Sequence, residues 1–353
     1  MSNPYGGWPP PDFDPATYRQ PDNMPAAPAG PVVPVESVGY HLIQRTGAWG
    51  AHGWWRPIVG TLTLLVLVLL VTQVVLAAAF AIGYLATGSD DVQGDLERLV
   101  DLDNVTPAVL AFLNLGLASA IPAAMLVMWV FHRLRPGWLA SVAPRLRWRW
   151  MTLCFGLSFL ALVATVAVAA VLPSAGGDTG DLSGDVNSWT TTTRDFVLVI
   201  LLLTPLQAAG EEYAFRGYLT QAFGGLFRSR GAAIVLPALL FAFAHGAQDA
   251  PIFIDRFAFG LVAGVLVITT GGLEAGIAMH VLNNFLAYGA ALAYSDMTSA
   301  LNPTDGSWWQ LPVTLTQSLV YLGLATWAAR RRGIAIRTPS TRQQVLEGPE
   351  RRV

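Results

Sequence analysis

The sequence predicts an all-α fold, a polytopic membrane bundle of about eight transmembrane helices, from its composition, its apolar runs and its charge distribution. Of its 353 residues, 53% are hydrophobic and 12% are charged, which is too apolar for an ordinary soluble domain. Successive apolar runs are long enough to cross the roughly 30 Å hydrocarbon core of a bilayer. Arginines collect in alternate loops and acidic residues in the loops between them, as expected of a multi-pass membrane protein.

The overall charge excludes one class of partner. The formal net charge of −2 provides no basic field, so nucleic acid is not expected as a partner, whereas the lipid bilayer is. All 21 basic residues are arginine, a bias typical of a GC-rich bacterial genome. The single cysteine, Cys154, permits no intramolecular disulfide and is expected to be a small packing residue.

Two polar tails are predicted at the ends of the chain. Residues 1–56 begin with ten prolines in the first 34 positions and are predicted to form a disordered cytoplasmic tail, because such a stretch cannot bury a core. It lacks the basic and apolar regions of a signal peptide. His41 and His52 in this stretch are expected to be solvated. The Arg-rich residues 330–353 are predicted to form a second cytoplasmic tail.

Eight apolar segments between the tails are predicted to cross the membrane. Residues 57–150 hold two N-terminal transmembrane helices, and residues 151–329 hold the other six. The segments are 59–87, 107–131, 151–173, 196–216, 232–250, 253–270, 273–294 and 310–329. The alternative for the fourth is one helix that continues to Phe227 and is kinked near Pro205, because 217–227 remains semi-apolar.

The positive-inside rule orients these segments. The arginine-bearing loops follow the second, fourth and eighth segments and are predicted to be cytoplasmic, whereas the loops after the first and third are acidic. Both termini are therefore expected in the cytoplasm, and an even number of spans requires that they lie on the same side. The protein is expected in the plasma membrane. Gly260 and Gly264 form a G-x-x-x-G pattern, which predicts close packing against another helix of the same chain.

The most informative stretch is Gly210–Arg216, where two adjacent glutamates lie in an apolar run. Each charge would cost roughly 2.5 to 3.5 kcal/mol at the centre of a bilayer helix, so each needs a partner or a polar cavity. On an α-helix Glu212 and Arg216, four residues apart, share a face, whereas Glu211 and Arg216, five apart, diverge. We therefore expect Arg216 to neutralise Glu212 and Glu211 to find its partner on another segment.

Two of the five histidines, His245 and His280, lie in later apolar segments. Phe241 precedes the first by four residues and Asn284 follows the second by four, so each pair shares a helix face. The chain thus contains E-E-x-x-x-R, F-x-x-x-H and H-x-x-x-N in that order. This set resembles the CPBP family of intramembrane proteases, which includes the type II CAAX prenyl endopeptidases and the bacterial Abi proteins, over roughly residues 150–295.

The resemblance implies an intramembrane endopeptidase that acts on a membrane protein or peptide, with residues 151–329 as its catalytic domain. It implies that Glu211 is the general base that activates a water molecule, and that His245 and His280 hold this water or a metal. It implies that Asn284 donates to the developing oxyanion.

The same resemblance assigns supporting roles and leaves the cofactor open. Glu212 and Arg216 would form a supporting ion pair, and Phe241 would close the wall of the pocket. Glu211, His245 and His280 match the His₂Glu ligand set of catalytic zinc sites, so the protein could be a metalloprotease. A metal-free mechanism uses the same residues, and both alternatives stay open.

Two further functions are weighed against the endopeptidase. A proton-coupled transporter would use the intramembrane glutamates and histidines as a proton relay, although no inverted repeat links the two halves. A non-proteolytic membrane partner, such as a self-immunity protein, would keep the motifs and act by binding.

The predicted orientation raises one conflict of depth. It puts Glu211 towards the cytoplasmic end of the fourth segment, while His245 lies about 14 residues, or roughly 20 Å of helix, from the cytoplasmic start of the fifth. A fourth segment that continues to Phe227 would move Glu211 towards the middle of the membrane and remove the conflict.

Overall fold

The computed structural model describes residues 36–46, 53–171, 186–246, 249–303 and 306–339. The regular secondary structure of this part of the chain is helical, and isolated bridges join Gly39 to Arg337 and Ser141 to Gly272. Most of the predicted N-terminal tail, including His52, and residues 340–353 lie outside the described residues.

A 3₁₀ helix, Tyr40–Thr46, precedes eleven α-helical elements in the described part of the chain. They are α1 Trp55–Ala86, α2 Val92–Arg98, α3 Pro107–His132, α4 Gly137–Ala140, α5 Trp148–Ala169, α6 Thr191–Phe227, α7 Arg230–Ala244, α8 Ala250–Thr270, α9 Glu274–Tyr294, α10 Met297–Leu301 and α11 Gln310–Arg331.

Five of these helices, α1, α3, α5, α6 and α8, are long and apolar enough to cross a membrane. The chain is therefore a multi-pass membrane protein with a helical bundle. Each of the eight predicted segments contains a helix, and α7 is apolar but shorter than the five. That α7, α9 and α11 also cross the membrane, for a total of eight, stays a prediction.

Helix α6 passes through the paired glutamates and continues to Phe227, as the alternative boundary predicted. The Thr190 hydroxyl caps its start by accepting a hydrogen bond from the backbone N–H of Thr193. The helix is α-helical to Glu211 and widens into a π-helix over Glu212–Leu219. Because π-helical hydrogen bonds run from i to i+5, adjacent side chains are separated by a smaller angle than the 100° of an α-helix.

Residues 37–46, which were predicted to belong to the N-terminal tail, pack against the bundle. Tyr40 and Ile43 are completely buried, and His41, which was expected to be solvated, is only 5% exposed. The Tyr40 hydroxyl donates a hydrogen bond to the carbonyl oxygen of Leu139, so its polar end is satisfied. Apolar side chains that follow the proline-rich stretch therefore belong to the core.

The two ends of the described chain meet on one side of the bundle. The backbone N–H of Thr338 donates to the carbonyl oxygen of Val38 at 2.9 Å, and the N–H of Val38 donates to the Thr338 hydroxyl at 3.0 Å. An even number of membrane crossings would produce this arrangement. That this side is cytoplasmic stays a prediction.

A buried ion pair fixes the start of α9. Glu274 is completely buried, and its Oε2 lies 2.7 Å from Nη2 of Arg147. The backbone N–H of Arg147 also donates to Glu274 Oε1 at 2.9 Å, and its guanidinium donates to the carbonyl oxygens of Thr270 and Ala335. These bonds hold the beginnings of α5 and α9 together.

The G-x-x-x-G pattern packs α8 against α7. A Cβ atom at Gly260 would lie 2.9 Å from the Cα atom of Ala238, and one at Gly264 would lie 3.0 Å from Cγ2 of Ile234. A side chain at Gly260 would clash with the backbone of α7, and one at Gly264 would crowd Ile234 of the same helix. The predicted intramolecular packing is therefore confirmed.

Candidate active site

The helices bring the three motifs together inside the bundle. The predicted site residues are Glu211, Glu212 and Arg216 on α6, Phe241 on α7, His245 directly after α7, and His280 and Asn284 on α9. Glu211, Glu212, Arg216 and His280 are at most 7% exposed. A cluster of ionisable groups thus lies within the apolar bundle, where each charge needs a partner.

His280 lies between the two glutamates. Its Nδ1 is 3.1 Å from Oε1 of Glu212, and its Nε2 is 3.4 Å from Oε2 of Glu211. Since a carboxylate only accepts, Nδ1 carries a proton and donates it to Glu212. Glu211 thus contacts a partner on another segment, as expected, and Glu212 contacts His280 in addition to Arg216. The π-helix that begins at Glu212 makes the angle between adjacent side chains smaller than in an α-helix.

Arg216 pairs with Glu212 and is enclosed by aromatic rings. Its Nη1 is 3.1 Å from Oε1 of Glu212, and the side chain is 1% exposed. The guanidinium carbon lies 4.2 Å from the centre of the Phe241 ring, a distance at which a cation and an aromatic face attract each other. The Phe241 ring also makes an edge contact with His280, at 6.0 Å between ring centres. Phe241 therefore separates the ion pair from the rest of the bundle.

His245 follows the last residue of α7 and faces the same cluster. Its ring centre is 4.5 Å from that of Phe241, so both histidines contact one aromatic ring and lie at a similar depth. Helix α6 also continues to Phe227, as the proposed resolution of the depth conflict requires. Nδ1 of His245 is 2.8 Å from the carbonyl oxygen of Phe241. A carbonyl only accepts, so Nδ1 carries the proton and Nε2 of the neutral ring is an acceptor.

Asn284 contacts a residue that the motifs did not include. Its Nδ2 donates to Oε1 of Gln207 at 2.9 Å, and Gln207 is only 5% exposed. Gln207 precedes Glu211 by four residues on α6 and so shares its face. A polar side chain four residues before a paired glutamate, within an apolar run, was the sequence signal that could have identified it.

The resemblance left open a zinc site made by Glu211, His245 and His280. Over the described ranges no three His, Cys, Asp or Glu side chains are arranged to hold a metal ion. We therefore derive no chemical step through a metal.

Fold and site together define a class, a multi-pass helical membrane protein with a buried glutamate and histidine centre. Residues 193–286 match the family described as type II CAAX prenyl endopeptidase Rce1-like, and this range includes all three motifs. The chain therefore carries an Rce1-like domain of the CPBP family, and the resemblance seen in the motifs is confirmed. A match to this family suggests a CAAX-type protease embedded in the membrane.

One relative extends beyond this domain. The chain is 26% identical over 292 residues to the uncharacterized protein YyaK of Bacillus subtilis (strain 168), which covers 77% of this chain and 94% of YyaK. No solved structure matches the chain.

Proposed function

We propose that this protein is an intramembrane endopeptidase that hydrolyses a peptide bond of a membrane-associated substrate, with Glu211 as the general base. The observation that supports this proposal best is the state of one carboxylate oxygen. Within the described part of the chain Oε2 of Glu211 is buried and accepts no hydrogen bond, and it lies 3.4 Å from Nε2 of His280. Such an oxygen is available to bind a water molecule and take its proton.

The neighbouring groups suit the remaining parts of the reaction. As the water oxygen attacks the carbonyl carbon of the substrate, Glu211 takes one proton from the water, and Nε2 of His245 accepts a hydrogen bond from the other. The Nδ2 amide of Asn284 donates to the oxyanion that develops on the carbonyl. When the C–N bond breaks, Glu211 returns its proton to the leaving nitrogen, which gives a carboxylic acid product and an amine.

The charges of the cluster support a proton held at this site. Glu211 and Glu212 contribute two negative charges and Arg216 one positive charge, which leaves a net charge of −1 when all three are ionised. Inside an apolar bundle an uncompensated charge is costly. When Glu211 takes up one proton from the water, the cluster becomes neutral, so the apolar surroundings favour this transfer. Glu212 and Arg216 therefore act by holding His280 and balancing the charge beside Glu211.

The charge pattern of the loops supports an orientation of the protein in the membrane. We place the protein in the plasma membrane with the paired segments around Val38 and Thr338 on the cytoplasmic side, because the arginine-rich loops lie there by the positive-inside rule. The substrate is then a membrane protein or a membrane-bound peptide.

Cleavage by the purified full-length protein tests the proposal. Two internally quenched peptides of one sequence are used as probes, both ending in a Cys-aliphatic-aliphatic-X motif, with the cysteine farnesylated in one and unmodified in the other. We expect cleavage of at least one. Glu211→Gln keeps the shape of the side chain but is no longer a base, so kcat should fall by about 10²-fold or more.

A matched control separates chemistry from folding. Glu274→Gln also removes a buried glutamate charge, but this residue lies at the start of α9 and pairs with Arg147. This variant should have a lower melting temperature and keep kcat within about threefold, whereas Glu211→Gln should melt at least as high as wild type. If wild type cleaves neither peptide, or if Glu211→Gln stays active, the proposal is wrong.

A further inference from the structure

Three buried polar side chains form a stripe along one face of α6. Thr204, Gln207 and Glu211 are spaced by three and four residues, which keeps them on one side of the helix. Each is at most 7% exposed and faces a polar group on another helix. Asn114 donates to the Thr204 hydroxyl at 3.0 Å, and His280 lies beside Glu211. The middle member of the stripe, Gln207, is bonded to Asn284 and lies one helical turn before the proposed base.

The bond between Gln207 and Asn284 determines how the asparagine amide is oriented. Nδ2 of Asn284 carries two protons, and one of them is donated to Oε1 of Gln207 at 2.9 Å. The amide plane is thereby fixed, and the second proton of Nδ2 is left free to be donated into the site. A rotation of the amide by 180° would bring its oxygen towards Gln207 Oε1, where two acceptors repel each other.

We propose that Gln207 is a positioning residue of the proteolytic site, which holds the Asn284 amide with its N–H group directed at the oxyanion. This inference rests on the proposed function. Gln207 acts through Asn284 and does not itself touch the reacting atoms. It links the element that carries the base, α6, to the element that carries the oxyanion donor, α9.

The size of the effect follows from the freedom that Asn284 would gain. On a helix two χ1 wells are commonly occupied, and the amide has two orientations about χ2. Without its partner the productive orientation is one of about four, so kcat should fall roughly fourfold to tenfold. Removal of the donor itself, in Asn284→Ala, should cost about 10²-fold or more. The affinity for substrate should change little, because the N–H group acts on charge that develops only in the transition state.

Gln221 offers a matched control on the same helix. It is completely buried, and its Nε2 donates to the carbonyl oxygen of Trp138 at 2.9 Å, away from the site. Gln207→Met and Gln221→Met therefore each remove a buried interhelical hydrogen bond while they preserve side-chain length, and Gln221→Met also removes a contact with the Tyr40 hydroxyl. Both should lower the melting temperature by similar amounts, since such bonds contribute about 0.6 kcal/mol on average within membranes.

The experiment measures kcat and KM of these variants with the quenched peptide that wild type cleaves. Gln207→Met should lose roughly fourfold to tenfold in kcat with KM within twofold, and Gln221→Met should lose less than twofold. In the double variant Gln207→Met/Asn284→Ala, kcat should equal that of Asn284→Ala alone, because groups that act as one unit are not additive.

The inference and the proposed function fail in different ways. Equal kcat for Gln207→Met and Gln221→Met, or additive losses in the double variant, would overturn the role of Gln207 and leave Glu211 and Asn284 in place. An active Asn284→Ala variant would contradict the proposed oxyanion donor and, with it, any role of Gln207 through Asn284.

Discussion

The contact between Gly276 and Glu212 allows a sharp test of the site through a residue that has no functional group. Gly276 lies on α9 one turn before His280, and a Cβ atom at this position would be 2.6 Å from Oε2 of Glu212. Ordinary van der Waals contact begins at about 3.4 Å, so in Gly276→Ala the carboxylate must retreat by roughly 0.8 Å. A displacement of about 1 Å in an active site can cost 10²-fold in rate.

The carboxylate cannot retreat freely, because Arg216 and His280 hold its other oxygen at 3.1 Å each. We therefore expect Gly276→Ala to lower kcat by about tenfold to 10²-fold through the displacement of His280. The crowding should also lower the free energy of unfolding by about 1 to 3 kcal/mol, which is typical of an extra methyl group in a packed core. Both quantities are measured on the purified protein, by peptide cleavage and by thermal melting.

Gly289→Ala is the matched control on the same helix, because a Cβ atom there meets nothing within 4 Å. This variant should keep wild-type activity and be more stable by about 0.4 to 1 kcal/mol, since alanine restricts the unfolded chain. A Gly276→Ala protein with wild-type kcat would show that Glu212 and His280 do not depend on this contact. Equal effects of the two substitutions would likewise refute the reasoning.

Three further predictions concern charge, metal and topology. Arg216→Ala leaves Glu212 buried without its ion-pair partner and should cost about 3 to 5 kcal/mol, seen as a low melting temperature and a low folded yield; normal yield would contradict the pairing. Incubation with 1,10-phenanthroline should leave peptide cleavage unchanged, because no step uses a metal, whereas reversible inhibition restored by zinc would refute this. Reporter fusions after Arg149 and Arg332 should read as cytoplasmic and a fusion at Asp90 as external; the reverse pattern would invert the orientation.

The sequence by itself determined the features that depend on local geometry. Apolar runs of sufficient length identify membrane helices because a bilayer leaves the backbone no other partner. Side chains four residues apart on a helix are neighbours in any environment. The Glu212–Arg216 ion pair and the Phe241–His245 ring contact could therefore be predicted from spacing alone. The close packing at Gly260 likewise followed from residue size.

Only the tertiary structure decided the contacts between distant parts of the chain. His280 lies between both glutamates where α6 widens into a π-helix at Glu212, and a spacing of 3.6 residues per turn does not describe that stretch. The bond between Gln207 and Asn284 joins residues 77 positions apart, and neither spacing nor composition indicates which helices are neighbours. Tyr40 was assigned to a solvated tail for the same reason: whether an apolar side chain beside a proline-rich stretch is buried depends on the surface that the folded bundle offers it.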